Sequence, residues 1–271
     1  MKPYIIAEIG SNCFKSEDEA INLEAAKRQC RKAREHGADA AKFQMYTAAE
    51  IYGPRVVGSD FEKSFNKFAM PEHWLEELSS ECIASGIEFM CSGFSVLGFL
   101  KIEPFVQRHK LASPEVCSDD LCDYLFSQSK PVIFSLGCTL NYADIIKIQR
   151  RARKRDVALE CASNYPAEIQ DYDLGFAKDN FGKWGVSDHT KTNHLALYAR
   201  ARGARYFEKH VDFLPWGSET PDTKVSIGPD EFASYAKAIR AVDANDKVRT
   251  NSKRSYGRVK SRHGEFRPLP I

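Results

Sequence analysis

The chain changes its hydrophobic period repeatedly along its length, and this alternation constrains the fold more than any other feature. Short apolar runs rich in β-branched residues alternate with stretches whose apolar side chains recur every three or four positions. Tyr4–Ile9, Ala40–Gln44, Ile87–Cys91, Phe105–Leu111, Pro131–Ser135, Val157–Cys161, Trp184–Ser187 and Arg205–Lys209 read as strands. Glu19–His36, Pro71–Ser85, Ser95–Ile102, Ser118–Ser127, Tyr142–Lys154, a short Leu174–Asp179, Asn193–Arg202 and Pro229–Asp243 read as helices. Pro71 suits a first helical position with Gly86 as its stop, and Ser118 is a good N-cap. Ala48–Phe68 fits neither period and reads as a loop with one helical turn. Eight strand–helix units match a (β/α)8 TIM barrel, a fold of typically ~250 residues. The competing layout, a doubly wound open sheet, usually carries a glycine-rich phosphate loop after its first strand, and Gly10-Ser11-Asn12 is not one. Residues 1–245 are therefore expected to form one barrel domain.

Residues 246–271 form a basic C-terminal tail, which from Lys247 to Arg267 sets Lys247, Arg249, Lys253, Arg254, Arg258, Lys260, Arg262 and Arg267 against a single Glu265. It reads first as a solvated segment and second as an arm that contacts anions. Over the whole chain the charge is nearly balanced, with a net +2 over 271 residues, which argues against a nucleic acid or a membrane surface as partner. No run of 18 apolar residues is present, and the N-terminus enters a strand without the layout of a signal peptide. The eight cysteines include no CxxC pair and are expected to be reduced thiols. A cytoplasmic protein is the expectation.

In such a barrel the active site lies at the C-terminal strand ends. The polar residues at those ends are Glu8; Lys42 and Gln44; Ser92; Lys110 with Ser113 and Glu115; Ser135; Ser163, Asn164 and Tyr165; Ser187, Asp188 and His189; and Glu208, Lys209 and His210. Each has a bland explanation: a serine can cap the next helix, and Glu8 or Glu208 can pair with a lysine inside the barrel. Together they suit a small anionic substrate, with lysine as a point charge for phosphate or carboxylate. His189 and His210 follow consecutive strands, so both imidazoles stand side by side at the mouth and could hold a divalent metal with open positions.

The segments AEIGSN, ADAAKFQ, FMCSGFS, KLASPE, FSLG, CASNYP, GVSDHT, EKHVDF and PDTKVSIGPDEF occur in the order and spacing of the sialic acid (N-acetylneuraminate) synthases, which this chain resembles over about residues 4–240. The resemblance implies a (β/α)8 barrel and a divalent metal, Mn²⁺ or Mg²⁺. It also implies carbon–carbon bond formation between phosphoenolpyruvate and a sugar aldehyde, N-acetylmannosamine or a related amino sugar, with release of phosphate. By position, His189 and His210 match metal ligands, and Lys42 and Lys110 match lysines that bind phosphoenolpyruvate. Ser92, Ser113, Ser135, Ser163, Tyr165 and Ser187 match residues around its phosphate and carboxylate, and Gln44 and Asn164 fall in the same motifs. Glu115 matches a glutamate near the reacting carbons, and Glu8 and Asp222 match carboxylates near the metal and the sugar. Catalytic roles are thus expected for Glu115, Glu8 and Lys110.

Three departures stand out. Cys13 replaces a histidine usual after the first glycine turn, and VDFLPWGSETPD replaces an Asp-Arg pair usual after EKH. The family's antifreeze-like C-terminal domain is not matched, so its arginine contribution to a partner's sugar site is expected to be missing or replaced by the basic tail. A homodimer remains the expectation from the resemblance. Two other readings fit the same residues: a different metal-dependent aldolase or ulosonic acid synthase, and a barrel that binds without catalysis.

Overall fold

The computed structural model describes residues 2–137, 142–214, 216–217 and 219–242. The basic tail and residues 243–245 lie outside them. Eight parallel strands close into a barrel in sequence order. They are β1 (Tyr4–Glu8), β2 (Ala40–Gln44), β3 (Glu88–Ser92), β4 (His109–Leu111), β5 (Val132–Leu136), β6 (Val157–Cys161), β7 (Trp184–Asp188) and β8 (Tyr206–His210). The helices that cover them are α1 (Glu19–Glu35), α2 (Ala48–Tyr52), α3 (Asp60–Asn66), α4 (Trp74–Ser85), α5 (Val96–Ile102), α6 (Asp119–Ser127), α7 (Tyr142–Arg151), α8 (Phe176–Asn180), α9 (His194–Ala201) and α10 (Pro229–Ala241).

Side chains alternate across each strand, so one sequence serves two cores. Ile5, Ala7, Ala41, Phe43, Phe89, Val132, Phe134, Val186 and Phe207 face outward into the large core beneath the helices. Ile6, Ala40, Met90, Ile133, Val157 and Leu159 form a dry plug inside the barrel. One step further along the same inward rows, the residues become polar: Glu8, Lys42, Ser92, Ser135 and Ser187. The apolar plug closes the barrel from below, and the polar ring above it opens at the C-terminal mouth.

Three sequence expectations need correction. Phe105–Leu111 is not one strand: Glu103–Phe105 is a 3-10 turn, and only His109–Leu111 pairs in the sheet. Pro104 lacks the N–H that a central strand requires. Ala48–Phe68 holds two helices rather than a single turn. Thr47 caps α2 in a reciprocal box with Glu50, and Ser59 caps α3 by accepting from the Glu62 N–H. Both carry the hydroxyl-x-x-Glu start signature in the sequence. The helix after Pro71 begins at Trp74, because Pro71–His73 form a turn closed by the Trp74 N–H on the Pro71 carbonyl, 3.1 Å away.

The seam between β7 and β8 is tight. A Cβ at Gly185 would stand 1.9 Å from the Tyr206 carbonyl oxygen, so only glycine lets these two strands approach as they do.

Candidate active site

A cavity of ≈ 290 Å³ opens at the C-terminal mouth, in the middle of the polar ring. Thirteen of the expected site residues line it: Glu8, Lys42, Gln44, Ser92, Lys110, Ser113, Glu115, Ser135, Ser163, Tyr165, Ser187, His189 and His210. Two do not. Asn164 turns away to donate to Asp171 at 3.0 Å, and Asp222 stands behind His210. Glu208 and Cys161 also line the cavity; the sequence puts Glu208 at the mouth with a lysine partner inside the barrel as one reading, but neither residue is among the expected site residues. A signal for Glu208 was present: it lies two residues before His210, so both must face inward, and Lys209 between them faces out.

The charged floor of the cavity is one connected chain. Lys42 pairs with Glu8 and lies 3.7 Å from Glu208. Lys110 reaches Glu208 from across the barrel, also at 3.7 Å, and donates to Ser135 Oγ at 2.9 Å. Gln44 donates to Glu8 Oε1 at 2.7 Å, and Ser187 Oγ donates to Glu208 Oε1 at 2.8 Å. All four charged groups are buried. Burial alone would lower the Lys42 ammonium, but Glu208 and Glu8 outweigh it and hold it above the usual lysine range. Burial would raise Glu208, but Lys110 and Lys42 bring it down to about 2. Lys110 is held below the usual lysine range by burial, with Glu208 only partly offsetting it. It is the less compensated cation of the two and the one an incoming anion would relieve most.

Next to Lys110, the hydroxyl of Ser113 and the Oε2 of Glu115 are buried with no hydrogen-bond partner among the described residues. Buried polar atoms are nearly always satisfied, so such orphans in a cavity mark places a ligand would fill. Burial also holds the Glu115 carboxyl above its ordinary range, against the pull of Lys110.

The histidines occupy the opposite side of the mouth. Their rings lie 5.5 Å apart. His189 Nδ1 is 2.8 Å from the Ala162 carbonyl, which can only accept, so the proton sits on Nδ1 and Nε2 is left as an acceptor. Tyr165 donates to that Nε2 at 2.9 Å. Burial and the neighbouring His210 push the His189 imidazole down to about 3, keeping it neutral. Behind His210, the Asp222 Oδ1 lies 3.3 Å from Nδ1, and its Oδ2 accepts from the Ser11 N–H and hydroxyl, both at 2.7 Å. Gly10, at φ +50°, makes room for this: a Cβ there would lie 2.3 Å from Asp222 Oδ2.

A divalent cation suits this donor set. His189 offers a neutral Nε2 whose other nitrogen is fixed by a carbonyl, the second-shell arrangement common to metal-binding histidines. Among the described residues no cluster of three or more His, Cys, Asp or Glu converges as a closed site. The two imidazoles would therefore leave positions open to substrate oxygen. Neither Cys13 nor Trp216, the tryptophan of the departing segment VDFLPWGSETPD, lines the cavity. Cys13 is buried with its thiol directed at the Gly10 carbonyl, and Trp216 sits in a separate groove against Ile21, Arg28 and Arg31.

The sequence model of the NeuB family matches residues 30–250. The chain belongs to the NeuB family. A pseudaminic acid synthase of Helicobacter pylori is 30% identical over 257 residues, spanning 88% of this NeuB chain and 74% of its own length. An N,N'-diacetyllegionaminic acid synthase of Legionella pneumophila is 31% identical over 266 residues, spanning 89% and 72%. The crystal structure of an N-acetylneuraminic acid (sialic acid) synthetase from Leptospira borgpetersenii in complex with citrate aligns with a TM-score of 0.78. It is 25% identical and covers 89% of this chain and 84% of that one. This NeuB chain is accordingly an enzyme, a sialic acid synthase-like, phosphoenolpyruvate-dependent transferase. None of its described helices is long and apolar enough to cross a membrane.

Proposed function

We propose that this enzyme condenses phosphoenolpyruvate with the aldehyde of N-acetylmannosamine or a related amino sugar, giving a sialic or other nonulosonic acid and phosphate. The observation that carries the reading is the pair Lys42 and Lys110, buried in one cavity with orphaned Ser113 and Glu115 groups and facing two imidazoles.

In this reading Lys42 and Lys110 hold the phosphate and carboxylate of phosphoenolpyruvate, with Ser92, Ser113, Ser135, Ser163 and Ser187 as neutral donors around them. They fix C3 of the enol against the aldehyde carbon, so that part of the barrier is met by orientation. The C3–C1 bond forms as the enol electrons move to the aldehyde carbon, and the aldehyde oxygen takes up a proton. Water then adds at C2, losing its proton to Glu115, and the resulting hemiketal phosphate expels inorganic phosphate to leave the keto acid. The buried surroundings that raise the Glu115 carboxyl also make it a stronger base once ionised. Glu8, tied to Lys42 and Gln44, keeps the floor ordered beneath the acceptor, and Asp222 orients His210. NeuB-family enzymes are generally metal-dependent. A Mn²⁺ or Mg²⁺ ion held by His189 and His210 would polarise the aldehyde oxygen. We place the reaction in the cytoplasm, where reducing conditions keep thiols reduced.

The direct test is phosphate release from phosphoenolpyruvate with a panel of amino-sugar aldehydes in the presence of Mn²⁺. Release that requires one of these sugars is expected. No release with any of them would sink the synthase reading, and release only with a non-amino aldose would move it to another ulosonic acid. His189→Ala should lose bound Mn²⁺, and stoichiometric retention would refute the ligand role.

A further inference from the structure

The rim of β7 and β8 is tied together on both faces. Inside the cavity, Ser187 meets Glu208. On the outer face, one residue further along each strand, Asp188 and Lys209 are paired in register and joined at 3.1 Å. Both are fully buried, and neither lines the cavity. The Lys209 ammonium also donates to the Thr190 carbonyl and, at 3.4 Å, to the Thr192 carbonyl. Thr190 sends its N–H (2.9 Å) and its hydroxyl (2.8 Å) back to Asp188 Oδ1. From α10 the Tyr235 ring approaches within 5.6 Å of the ammonium. The three protons of Lys209 are thus directed at Asp188 and at two carbonyls of the loop that leaves His189.

A buried ion pair is a poor device for stability alone, because desolvation can exceed the attraction and an apolar pair of equal volume often does as well. Its position suggests a different purpose. Asp188 immediately precedes His189, and Lys209 immediately precedes His210. The pair spans the two strands at the level where both imidazoles leave the sheet, and the loop it fastens begins at the residue after His189.

We propose that Lys209 and Asp188 form a positioning clamp. From behind the strands it fixes the separation and orientation of His189 and His210, and so sets how tightly those imidazoles hold a divalent cation. The inference rests on the reading of the two histidines as the cation's ligands, and it assigns the outer pair a role that the cavity lining does not reveal.

The test replaces both charges with apolar groups of similar size, Lys209→Met together with Asp188→Leu, leaving no buried charge unpaired. Mn²⁺ binding is titrated by electron paramagnetic resonance without substrate. Phosphoenolpyruvate binding is followed by calorimetry without metal, and thermal unfolding is recorded beside both. The Mn²⁺ dissociation constant should rise at least tenfold, while phosphoenolpyruvate affinity, which depends on Lys42 and Lys110, changes less than threefold. Unchanged Mn²⁺ affinity overturns the clamp. So does equal loss of both affinities with a lowered Tm, the pattern of a merely structural role. Should the double variant not fold, Asp188→Asn, which leaves the Lys209 bonds to Thr190 and Thr192, carries the same comparison with a threefold or greater loss expected for Mn²⁺ alone. Failure of the underlying reading looks different: the unaltered enzyme would bind no Mn²⁺, or His189→Ala would keep it. The clamp is then judged by nitrogen NMR of the metal-free imidazoles. His189 should hold the Nδ1–H tautomer in the unaltered chain and mix tautomers in the variant; identical tautomer populations sink the proposal.

Discussion

At the N-terminal floor of the barrel, Tyr4, Glu88, Arg108 and Tyr206 close on one another. Arg108 grips Glu88 through two bonds of 2.7 and 3.0 Å, Tyr4 donates to the same carboxylate at 2.5 Å, and the guanidinium lies 4.7 Å from the Tyr4 ring. At the mouth, inward rows of the same strands carry two lysines, two paired carboxylates and a ring of serines, yet among the described residues Ser113 and Glu115 keep orphaned atoms. Both clusters are polar and both sit in a barrel interior. The floor is saturated by its own members and can only stabilise, whereas the mouth is saturated in part and retains capacity for a ligand. Conserving binding capacity means leaving hydrogen bonds unmade, and the mouth does so where Ser113 and Glu115 face the cavity.

The contrast can be broken from either side. Glu115→Gln should give the largest effect: kcat for phosphate release falls by about 10²–10⁴-fold, the usual worth of a general base, with phosphoenolpyruvate affinity little changed. Full activity in this variant would remove Glu115 from the chemistry. Lys110→Ala comes next, with phosphoenolpyruvate bound about 10- to 100-fold more weakly, as the loss of charge-assisted hydrogen bonds predicts. Calorimetry would check it, and normal affinity would reject the anion-site assignment. Arg108→Met at the floor should do the reverse. It costs about 3 kcal/mol of unfolding free energy by stranding Glu88, measured by denaturant titration, and leaves phosphoenolpyruvate affinity as it was. A drop in that affinity would show that floor and mouth are not independent.

The smallest effect concerns a group belonging to neither cluster. Glu160 faces outward beneath α8 and accepts from the Ala177 N–H at 3.0 Å. Burial pushes its carboxyl up to about 7, against that hydrogen bond. The folded chain therefore holds this proton more tightly than the unfolded chain does. Its contribution to stability is complete below about pH 4.5 and is lost as the pH rises through 7. After allowance for solvent screening the loss is of order 1–2 kcal/mol. Glu160→Gln should abolish that part of the slope in denaturant titrations at pH 5 and pH 8; an unchanged slope would assign it to other groups.

Much of this was legible in the residues themselves. The eight apolar runs specify the strands, and motif order leads to the mouth residues and both histidines. Where the reading failed, tertiary context or an overlooked local signal decided. The apolar Phe105-Val106 looks like strand, yet those residues lie before the pairing begins, beside Pro104. The polar character of 48–68 hid two helices whose capping serine and threonine could have been recognised. Glu208 was legible as a mouth carboxylate with a lysine partner, but among Glu208, Lys209 and His210 the inward pair is not evident until His210 fixes the parity of the strand. Cys13 and Trp216 stand out in sequence, but their side chains turn away from the cavity, and only coordinates show where a side chain points. The outer pair of Asp188 and Lys209 was equally invisible: it requires the register of β7 against β8.

That register depends on Gly185, where even a methyl group would collide with the backbone of the neighbouring strand. For anyone diversifying this enzyme toward new acceptor sugars, the loops above the mouth are open to variation, while position 185 is closed to it. A library that randomises this codon spends nearly all of its members on chains whose two histidine-bearing strands can no longer lie side by side.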